Sequence, residues 1–270
     1  MVNPVYNSIS VTSTAATITS LLGIAPPSEA SHPIDVVLKK AEKAFGGEKA
    51  DTVIMYNPDA VALWLYQKYT GLFGDVLANS SLTLPLESVM PSVTPVCFAS
   101  MYTGAVPEIH GIRSYTKPVL KTDTVFDALI RQGKRPVIVS TSGDSISKIF
   151  LERDMDYFIY ETPEEVNEKA MEIIDEDNYD LIVIYNGNYD GTMHKTGPEA
   201  PEAMAALQMN LDFYCEMVDT IKEKWKSHNV FYGFMPDHGC HEIDGDCGGH
   251  GLDMEEDMNV IHFYGILKNV

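Results

Sequence analysis

The sequence predicts an α/β fold with a doubly wound, mostly parallel sheet and helices on both faces. Three observations support this prediction. Short apolar runs that end in polar residues recur along the chain, and stretches with helical periodicity lie between them. Acidic and histidine residues follow several of these runs, at the position where open α/β sheets bind ligands. Runs that are apolar throughout are typical of parallel strands, because helices cover both faces of such a sheet.

Five runs are interpreted as buried parallel strands. They read TVIMYN at 52–57, PVIVSTS at 136–142, LIVIYN at 181–186, VFYGFM at 230–235 and VIHFYGI at 260–266. Each has the length of an ordinary strand and is far too short to span a membrane as a helix.

Helical patterns separate these runs. The clearest extends from Pro201 to Lys226, where apolar residues recur at steps of three and four and predict one buried face. The tetrad TPEE at 162–165 is a capping box with proline at the first helical position. Gly133 follows DTVFDALIRQ, where a helix end is expected. Strands and helices therefore alternate along the chain.

The chain is predicted to be a single domain over residues 1–270. Its 270 residues, 45% of them hydrophobic, suffice for one large core. Residues 1–50 are interpreted as an N-terminal helical segment. Residues 72–92 and 143–162 have weaker periodicity, and we expect them to form loops or a small cap over the sheet edge.

Composition limits the partners that the protein can bind. The formal net charge of −20 argues against nucleic-acid polymers and anionic membranes, which are bound by clustered lysine and arginine. A small phosphate ester remains compatible, because bound dications reverse the field within a site. The four cysteines form no disulfide framework, and the N-terminus lacks the features of a secretory signal. We therefore expect a soluble, cytoplasmic protein.

Seven residues have the types and local contexts needed to hold two divalent metal ions around one hydroxyl nucleophile. Three of them are aspartates that follow predicted strands by two to four residues, so we expect them to converge at one sheet edge. Carboxylate and imidazole ligands together favour zinc, and two such ions clamp the attacking and leaving oxygens of a phosphate ester. The seven residues are Asp59, Thr94, Asp190, His194, Asp237, His238 and His250.

Thr94 is the candidate nucleophile. It precedes Pro95, and VCFASMYTG is predicted to continue as a helix with Thr94 at its N-cap. The N–H groups of Val96 and Cys97 would then be free to bind a phosphate oxygen. An isolated threonine hydroxyl is a weak nucleophile at neutral pH, so contact with a metal ion is its natural route to activation.

Each candidate also has an ordinary structural interpretation. The alternative for Asp59 is a cap on a helix that begins at Ala60, and the alternative for Thr94 is an N-cap without reactivity. The other candidates have alternatives in solvated loops and polar turns.

Further histidines and cysteines are interpreted as supporting residues. His110 and His241 are expected to be structural or to act as partners of ligands. Cys240 and Cys247 with His241 fit no ordinary zinc pattern, so we predict no additional metal site there.

These motifs resemble those of the alkaline phosphatase superfamily, and most closely its nucleotide pyrophosphatase/phosphodiesterase branch. The resemblance extends over residues 51–266. Thr94 lies nine residues before the TG of TGAVPEIHGI, Asp59 follows the opening strand, Asp190 and His194 match D-x-x-x-H, Asp237-His238-Gly239 matches D-H-G, and His250-Gly251-Leu252-Asp253 matches H-G-Y-D. The resemblance implies one metal site of Asp190, His194 and His250 and another of Asp59, Thr94, Asp237 and His238.

The chain departs from the branch in two places. Cys97 stands where the branch usually has an asparagine that hydrogen-bonds a phosphate oxygen, which makes Cys97 a candidate substrate contact with a far weaker donor. In addition, TSTAATITSLLGIAPP near the N-terminus resembles a segment that many members carry near the C-terminus. A circular permutation is therefore a hypothesis, in which the termini lie close together and residues 11–26 pack beside the last strand.

The sequence thus predicts a zinc-dependent hydrolase of small phosphate esters, with diesters or nucleotide-like pyrophosphates preferred and phospho-threonine as intermediate. One alternative is a phosphomonoesterase, phosphonate hydrolase or phosphosugar mutase that uses the same metals. Another is a metal-dependent protein that binds a phosphate ligand without turnover.

Overall fold

A computed structural model describes residues 4–244 and 247–269. The strands are β1 Thr52–Pro58, β2 Leu82–Glu87, β3 Pro136–Thr141, β4 Asp156–Tyr160, β5 Leu181–Asn186, β6 Val230–Phe234, β7 His241–Ile243, β8 Cys247–Gly249 and β9 Asn259–Leu267. The α-helices are α1 Thr14–Leu21, α2 Asp35–Phe45, α3 Leu63–Lys68, α4 Gly74–Ala78, α5 Thr94–Thr103, α6 Pro107–His110, α7 Val125–Arg131, α8 Ile146–Ile149, α9 Pro163–Glu176, α10 Asn188–Thr196, α11 Pro201–Lys224 and α12 Glu255–Met258. Two 3₁₀ turns cover Val11–Ser13 and Thr70–Phe73.

Seven strands form the main sheet, in the order β2-β9-β6-β1-β5-β3-β4, and β7 and β8 form a separate hairpin. Neighbouring strands from β6 to β4 are parallel, which confirms the predicted fold class. The run at 260–266 was expected to be parallel, and that expectation is wrong: β9 is antiparallel to both β6 and β2. An apolar run indicates that both faces of a strand are covered. It does not indicate whether the strand is parallel or antiparallel to its neighbours.

The two segments expected to be loops or a cap instead contribute the edges of the sheet. Residues 72–92 contain α4 and β2, and residues 143–162 contain α8 and β4. The small cap at 143–162 stays a prediction for the residues outside β4. Both strands are partly exposed, and Pro85 lies in β2, where an edge strand tolerates a residue without an N–H. Partial exposure removes the continuous apolar pattern that made the inner strands recognisable.

Helices cover both faces of the sheet. Val53 and Met55 of β1 face one apolar layer, which includes α1, α2, α5 and α7. Ile54 and Tyr56 face the other layer, which includes α3, α9 and α11. Burial of both faces leaves the carboxyl ends of the parallel strands as the place where polar residues can gather.

The helix signals in the sequence are largely confirmed. The long amphipathic helix is α11, which ends two residues earlier than expected. The capping box at Thr162 forms as predicted, with reciprocal contacts to Glu165. Gly133 has a φ of +70° just beyond α7, a backbone conformation that glycine adopts without strain.

The N-terminal segment packs against α5, α2 and α7 through α1. Asn7 hydrogen-bonds the side chain of Asn259 at the start of β9, and Ser10 forms an isolated bridge to Glu87. Asn269 lies beyond the opposite end of β9, and its N–H donates to Oδ1 of Asn229. The circular permutation stays a prediction.

Among the described helices, none has both the length and the apolar composition that crossing a bilayer requires.

Gly265→Ala is expected to destabilise the protein. A Cβ at Gly265 would lie 2.0 Å from Cε2 of the buried Tyr232 on the paired strand. Overpacking of this kind costs about 1–3 kcal/mol of the free energy of unfolding, which urea denaturation measures. Gly74→Ala is the control, because a Cβ there meets nothing within 4 Å. Equal stability of the two variants would contradict the packing described for β9.

Candidate metal centre

All seven candidate residues gather at the carboxyl edge of the sheet, as the strand positions predict. Asp59 directly follows β1, and its N–H donates to the Asn186 carbonyl at the end of β5. Asp190 and His194 lie on α10, which begins just after β5. Asp237 and His238 follow β6, and His250 follows the β7–β8 hairpin. Thr94 lies at the start of α5, after the edge strand β2.

A small hydrogen-bond network holds α5 against the strand ends. The hydroxyl of Tyr102 on α5 donates to Oδ1 of Asn57 in β1. The amide of Asn57 in turn donates to the Met235 carbonyl after β6, at 2.7 Å. All of these side chains are buried, so α5 is fixed to β1 and β6. This network places Thr94 beside the residues that follow those strands.

The first ligand group comprises Asp190, His194 and His250. Oδ1 of Asp190 lies 3.2 Å from Nε2 of His194 and 3.3 Å from Nε2 of His250. The two Nε2 atoms are 3.1 Å apart. Three potential ligand atoms therefore surround one point in space.

The second ligand group comprises Asp59, Asp237 and His238, all of them buried. Nε2 of His238 lies 3.2 Å from Oδ1 of Asp59 and 3.4 Å from Oδ2 of Asp237. Oγ1 of Thr94 is 3.3 Å from the same Nε2. The threonine hydroxyl thus borders this group directly.

The two groups adjoin one another. The rings of His238 and His250 stack with centroids 4.0 Å apart and an interplanar angle of 29°. The two ligand groups therefore lie side by side, as the residues of a two-metal site do.

The hydrogen bonds of the imidazoles leave their Nε2 atoms available as ligands. Nδ1 of His194, His238 and His250 each lies 2.9 Å from a backbone carbonyl, namely that of Gly248, Gly239 and Ser92 respectively. A carbonyl only accepts, so each Nδ1 carries the proton and each Nε2 of the neutral ring has a lone pair. Metal-bound histidines are generally oriented in this way.

One oxygen of each of the three carboxylates is buried without a hydrogen-bond partner. These oxygens are Oδ1 of Asp59, Oδ1 of Asp190 and Oδ2 of Asp237. Among the described residues, no lysine or arginine forms an ion pair with any of them. Buried charge without compensation costs several kcal/mol, whereas a cation between the carboxylates and imidazoles removes that cost. The residues therefore fit metal ions.

Comparison with known proteins agrees with this geometry. A family model described as type I phosphodiesterase/nucleotide pyrophosphatase matches residues 64–141, which include Thr94. The resemblance to the nucleotide pyrophosphatase/phosphodiesterase branch of the alkaline phosphatase superfamily is confirmed. No curated protein matches the chain.

Solved structures share the alkaline-phosphatase-like fold. Phosphonoacetate hydrolase from Sinorhizobium meliloti 1021, in complex with phosphonoformate, superposes with a TM-score of 0.55 at 17% identity, over 73% of this chain and 59% of that one. Murine ectonucleotide pyrophosphatase/phosphodiesterase 5 superposes with a TM-score of 0.56 at 17% identity, over 70% and 57%. An inactive variant of the murine protein in complex with AMP gives 0.56 at 15% identity, over 72% and 58%. The chain thus spans under three-fifths of the length of these structures.

The start of α5 differs from the expectation for Thr94. Thr94 is the first helical residue and Val93 is the N-cap, so the N-cap interpretation of Thr94 is wrong. The N–H groups of Val96 and Cys97 both donate to the Val93 carbonyl at 3.0 Å and are not free. Pro95 has no N–H. The N–H of Thr94 makes no hydrogen bond among the described residues.

Cys97, which stands in place of the asparagine usual in the branch, lies close to the second ligand group, because its thiol is near the Asp237 carboxylate. Its side chain is fully buried in the core, with Sγ 3.2 Å from Oγ of Ser88. Burial raises the pKa of the Cys97 thiol well above its ordinary value, and the nearby Asp237 carboxylate raises it further. The substrate contact stays a prediction, and a neutral thiol would be a weak donor in it.

The alternative for Asp59 is also wrong. The helix after β1 begins at Leu63, and Ala60 has a φ of +64°, which no helix accommodates. This conformation lets the Ala60 N–H approach Oδ1 of Asp237 at 3.5 Å.

One residue that contacts the site was not identified from the sequence. The buried hydroxyl of Tyr185 donates to Oδ2 of Asp59. Tyr185 lies in the apolar run LIVIYN, and its place next to the end of β5 was the only available signal. The Tyr185 hydroxyl occupies Oδ2 of Asp59, and Oδ1 of Asp59 faces Nε2 of His238.

Two predictions about supporting histidines agree with the structure. The N–H of Ile112 donates to Nδ1 of His110, whose Nε2 lies 2.9 Å from Ser100 Oγ, so this histidine is structural. His241 contacts Asp257, as described below. Among the described residues, neither Cys240 nor Cys247 joins a metal-ligand group.

The pKa values show what the metal-free site does with its excess charge. Burial, with the neighbouring Asp190 carboxylate, raises the pKa of Asp59 to about 7. Burial and the charge of Asp59 likewise raise the pKa of Asp237. The contact with Asp190 raises the pKa of His194 to about 9, although burial opposes this. Burial alone would raise the pKa of Asp190, but the imidazoles of His194 and His250 outweigh it and hold that pKa low. In the metal-free site, bound protons therefore offset part of the negative charge that metal ions would otherwise balance.

The metal-free protein is expected to lose stability as pH rises from 7 to 9. His194 has a pKa of about 9 when folded against 6.5 when unfolded, so the folded protein binds more protons in this window. Its contribution to stability is complete below pH 6.5 and disappears as pH passes 9. Zinc should reverse the trend, because deprotonated ligands bind it more tightly.

Thermal unfolding in chelator and in zinc at pH 7, 8 and 9 measures both effects. At a zinc concentration 100 times the dissociation constant, each bound ion is expected to add about 2.7 kcal/mol of stabilisation. Asp190→Asn should remove most of the contribution of the ion held by its own group, whereas Glu202→Gln, on α11 outside the site, should remove none. A zinc effect that is absent, or that weakens as pH rises, would contradict the metal centre.

Proposed function

We propose that the chain is a phosphoric ester hydrolase that uses Thr94 as its nucleophile and two zinc ions as cofactors. The observation that carries this proposal is the convergence of two ligand groups on one threonine hydroxyl, with three Nε2 lone pairs directed inward. The ligand types, carboxylate oxygen and imidazole nitrogen, are those that zinc accepts in catalytic sites.

Each ligand group would hold one ion, and neighbouring residues orient the ligands. Asp190, His194 and His250 would hold one ion, and Asp59, Asp237 and His238 would hold the ion beside Thr94. When bound, the two ions supply Lewis acidity, which lowers the pKa of a hydroxyl and stabilises charge on the leaving oxygen. Tyr185 fixes the orientation of Asp59, and the backbone carbonyls fix the imidazoles.

The reaction proceeds in two displacements at phosphorus. Oγ1 of Thr94 gives its proton to water and forms a bond to phosphorus, while the bond from phosphorus to the leaving oxygen breaks. The leaving group departs with the electron pair of that bond and is protonated by water. Water then attacks the phospho-threonine in line, releases the phosphate product and restores the hydroxyl.

Charge balance at the site favours a diester. Two dications would be neutralised by the three carboxylates and a threonine alkoxide, which leaves no excess positive charge. A phosphate monoester carries about two negative charges near pH 7 and a diester carries one, so the less charged substrate is the better match. The murine relative was solved with AMP, and the chain's own substrate is proposed to be a small diester or nucleotide-like pyrophosphate.

A phosphonate hydrolase is the second candidate. A Sinorhizobium phosphonoacetate hydrolase was solved with phosphonoformate and with phosphonoacetate, and it shares the fold. A mutase is disfavoured, because the segment expected to form a cap, residues 143–162, gives five of its residues to strand β4 of the sheet. Nucleic-acid polymers are not proposed as partners, given the net charge of −20. The cytoplasmic location stays a prediction.

Thr94→Ala is expected to lower the rate of hydrolysis by roughly 10³-fold or more while both zinc ions still bind. The reason is that the covalent step needs an oxygen at this position, whereas six other side chains supply the ligand groups. The test uses bis(4-nitrophenyl) phosphate, 4-nitrophenyl phosphate and phosphonoacetate, with zinc content measured alongside. Thr220→Ala, on α11 outside the site, is the matched control.

The same assay separates the candidates. Faster turnover of the diester supports the proposal, and faster turnover of phosphonoacetate supports the second candidate. Zinc-dependent binding without any turnover would favour a binding protein. Wild-type rates in Thr94→Ala would exclude the covalent route.

A further inference from the structure

The β7–β8 hairpin is connected to all three histidines of the candidate metal centre. His238 lies three residues before β7, and His250 directly follows β8. His194 belongs to α10, but its Nδ1 donates to the carbonyl of Gly248 within β8 at 2.9 Å. Whatever fixes this hairpin against the domain therefore also fixes the three imidazoles.

Asp257 is the residue that ties both ends of the hairpin together. It lies on α12, outside both ligand groups, and is completely buried. Nδ1 of His241 donates to Oδ1 of Asp257 at 2.7 Å, and the N–H of Leu252 donates to its Oδ2 at 2.8 Å. The N–H of Gly239 donates to the Asp257 backbone carbonyl at 2.8 Å. The segment after His238 and the segment after His250 thus bind the same residue.

Close packing at Gly239 makes this connection stiff. A Cβ at Gly239 would lie 2.0 Å from the backbone oxygen of Glu256 and 3.0 Å from Cβ of Ala62. The chain next to His238 is therefore pressed directly against the segment that carries Asp257. A shift of Asp257 cannot be absorbed between the two segments.

The position of the two loops determines whether the ligands meet. The rings of His238 and His250 stack 4.0 Å apart, although they serve different ligand groups. Zinc tolerates only small deviations from ligand distances of about 2.0–2.1 Å to nitrogen. A displacement of one loop by a fraction of this length would weaken coordination in the group that its histidine serves, and a displacement of both loops would weaken coordination in both groups.

We propose that Asp257 is a positioning residue that clasps the His238 and His250 loops and thereby sets the zinc affinity of both ligand groups together. This inference rests on the proposed function, since it requires that the centre binds metal. His241 is the second half of the clasp, because it occupies one carboxylate oxygen of Asp257.

Asp257→Asn tests the clasp with little change in shape. An asparagine has one acceptor oxygen and no charge, so it cannot accept from both the Leu252 N–H and Nδ1 of His241, and the contacts that remain are weaker than those to a carboxylate. Loss of an outer partner of metal ligands typically lowers metal affinity by about 10–100-fold, and we expect a fall of this size for both zinc ions. Calorimetric titration of the metal-free protein with zinc measures it, and the absorbance of bound Co²⁺ reports the altered geometry. Glu256→Gln is the matched control, because the Glu256 side chain is exposed.

A pair of variants at His241 keeps the test decisive if Asp257→Asn does not fold. In His241→Asn, the side-chain amide can still donate to Asp257, so zinc affinity is expected to stay within about threefold of wild type. In His241→Leu, the donor is lost, and affinity should fall as in Asp257→Asn. A merely structural role would lower the melting temperature of the metal-free protein in both variants and leave zinc affinity and the Co²⁺ spectrum unchanged.

The outcomes separate this inference from the proposed function. If the wild-type protein binds no zinc, the proposed function fails. If the wild type binds two zinc ions and the folded Asp257→Asn and His241→Leu proteins bind them equally tightly, only the clasp is refuted. A selective loss of one zinc ion would also overturn the inference, because the clasp acts on both groups.

Discussion

The structure depends on the accumulation of negative charge at one edge of its sheet. Asp59 and Asp237 are buried side by side and Asp190 lies close to them, with no lysine or arginine paired to any of the three among the described residues. Such an arrangement is unstable without compensation. Three imidazoles with inward lone pairs complete it, and they cannot neutralise it alone. Divalent cations would balance this charge, and that requirement connects the fold to the proposed chemistry.

The order of the strands explains how distant residues reach this edge. β1 lies between β6 and β5, so the segments that follow these three strands are neighbours in space although far apart in sequence. Adjacent strands are about 4.8 Å apart, so side chains that follow neighbouring strands can bring their ligand atoms within 3.2–3.4 Å of one another. The aspartates therefore meet as a direct result of the parallel sheet. The histidines are added by α10 and by the loops around the small hairpin.

The sequence predicts this central part of the molecule well, and it fails at the margins for identifiable reasons. Asp59 and Asp237 follow apolar runs closely, so a parallel sheet alone brings them together. The positions of Thr94 and His250 depend on an edge strand and a hairpin, and only the motif order indicated that they join the site. The direction of β9 and the edge strands β2 and β4 were missed, because burial patterns carry no strand direction and fade at sheet edges. Contacts such as that of Asp257 with His241 have no sequence signal, since they connect ordinary residues through tertiary packing.

The central claim is that two metal ions bind at fixed positions around Thr94. Anomalous diffraction at the zinc absorption edge, from crystals of the protein grown with zinc, tests it most directly. Two peaks are expected, one about 2.0–2.2 Å from ligand atoms of Asp190, His194 and His250 and the other equally close to Asp59, Asp237 and His238. Absence of both peaks, or peaks only at surface carboxylates, would contradict the account.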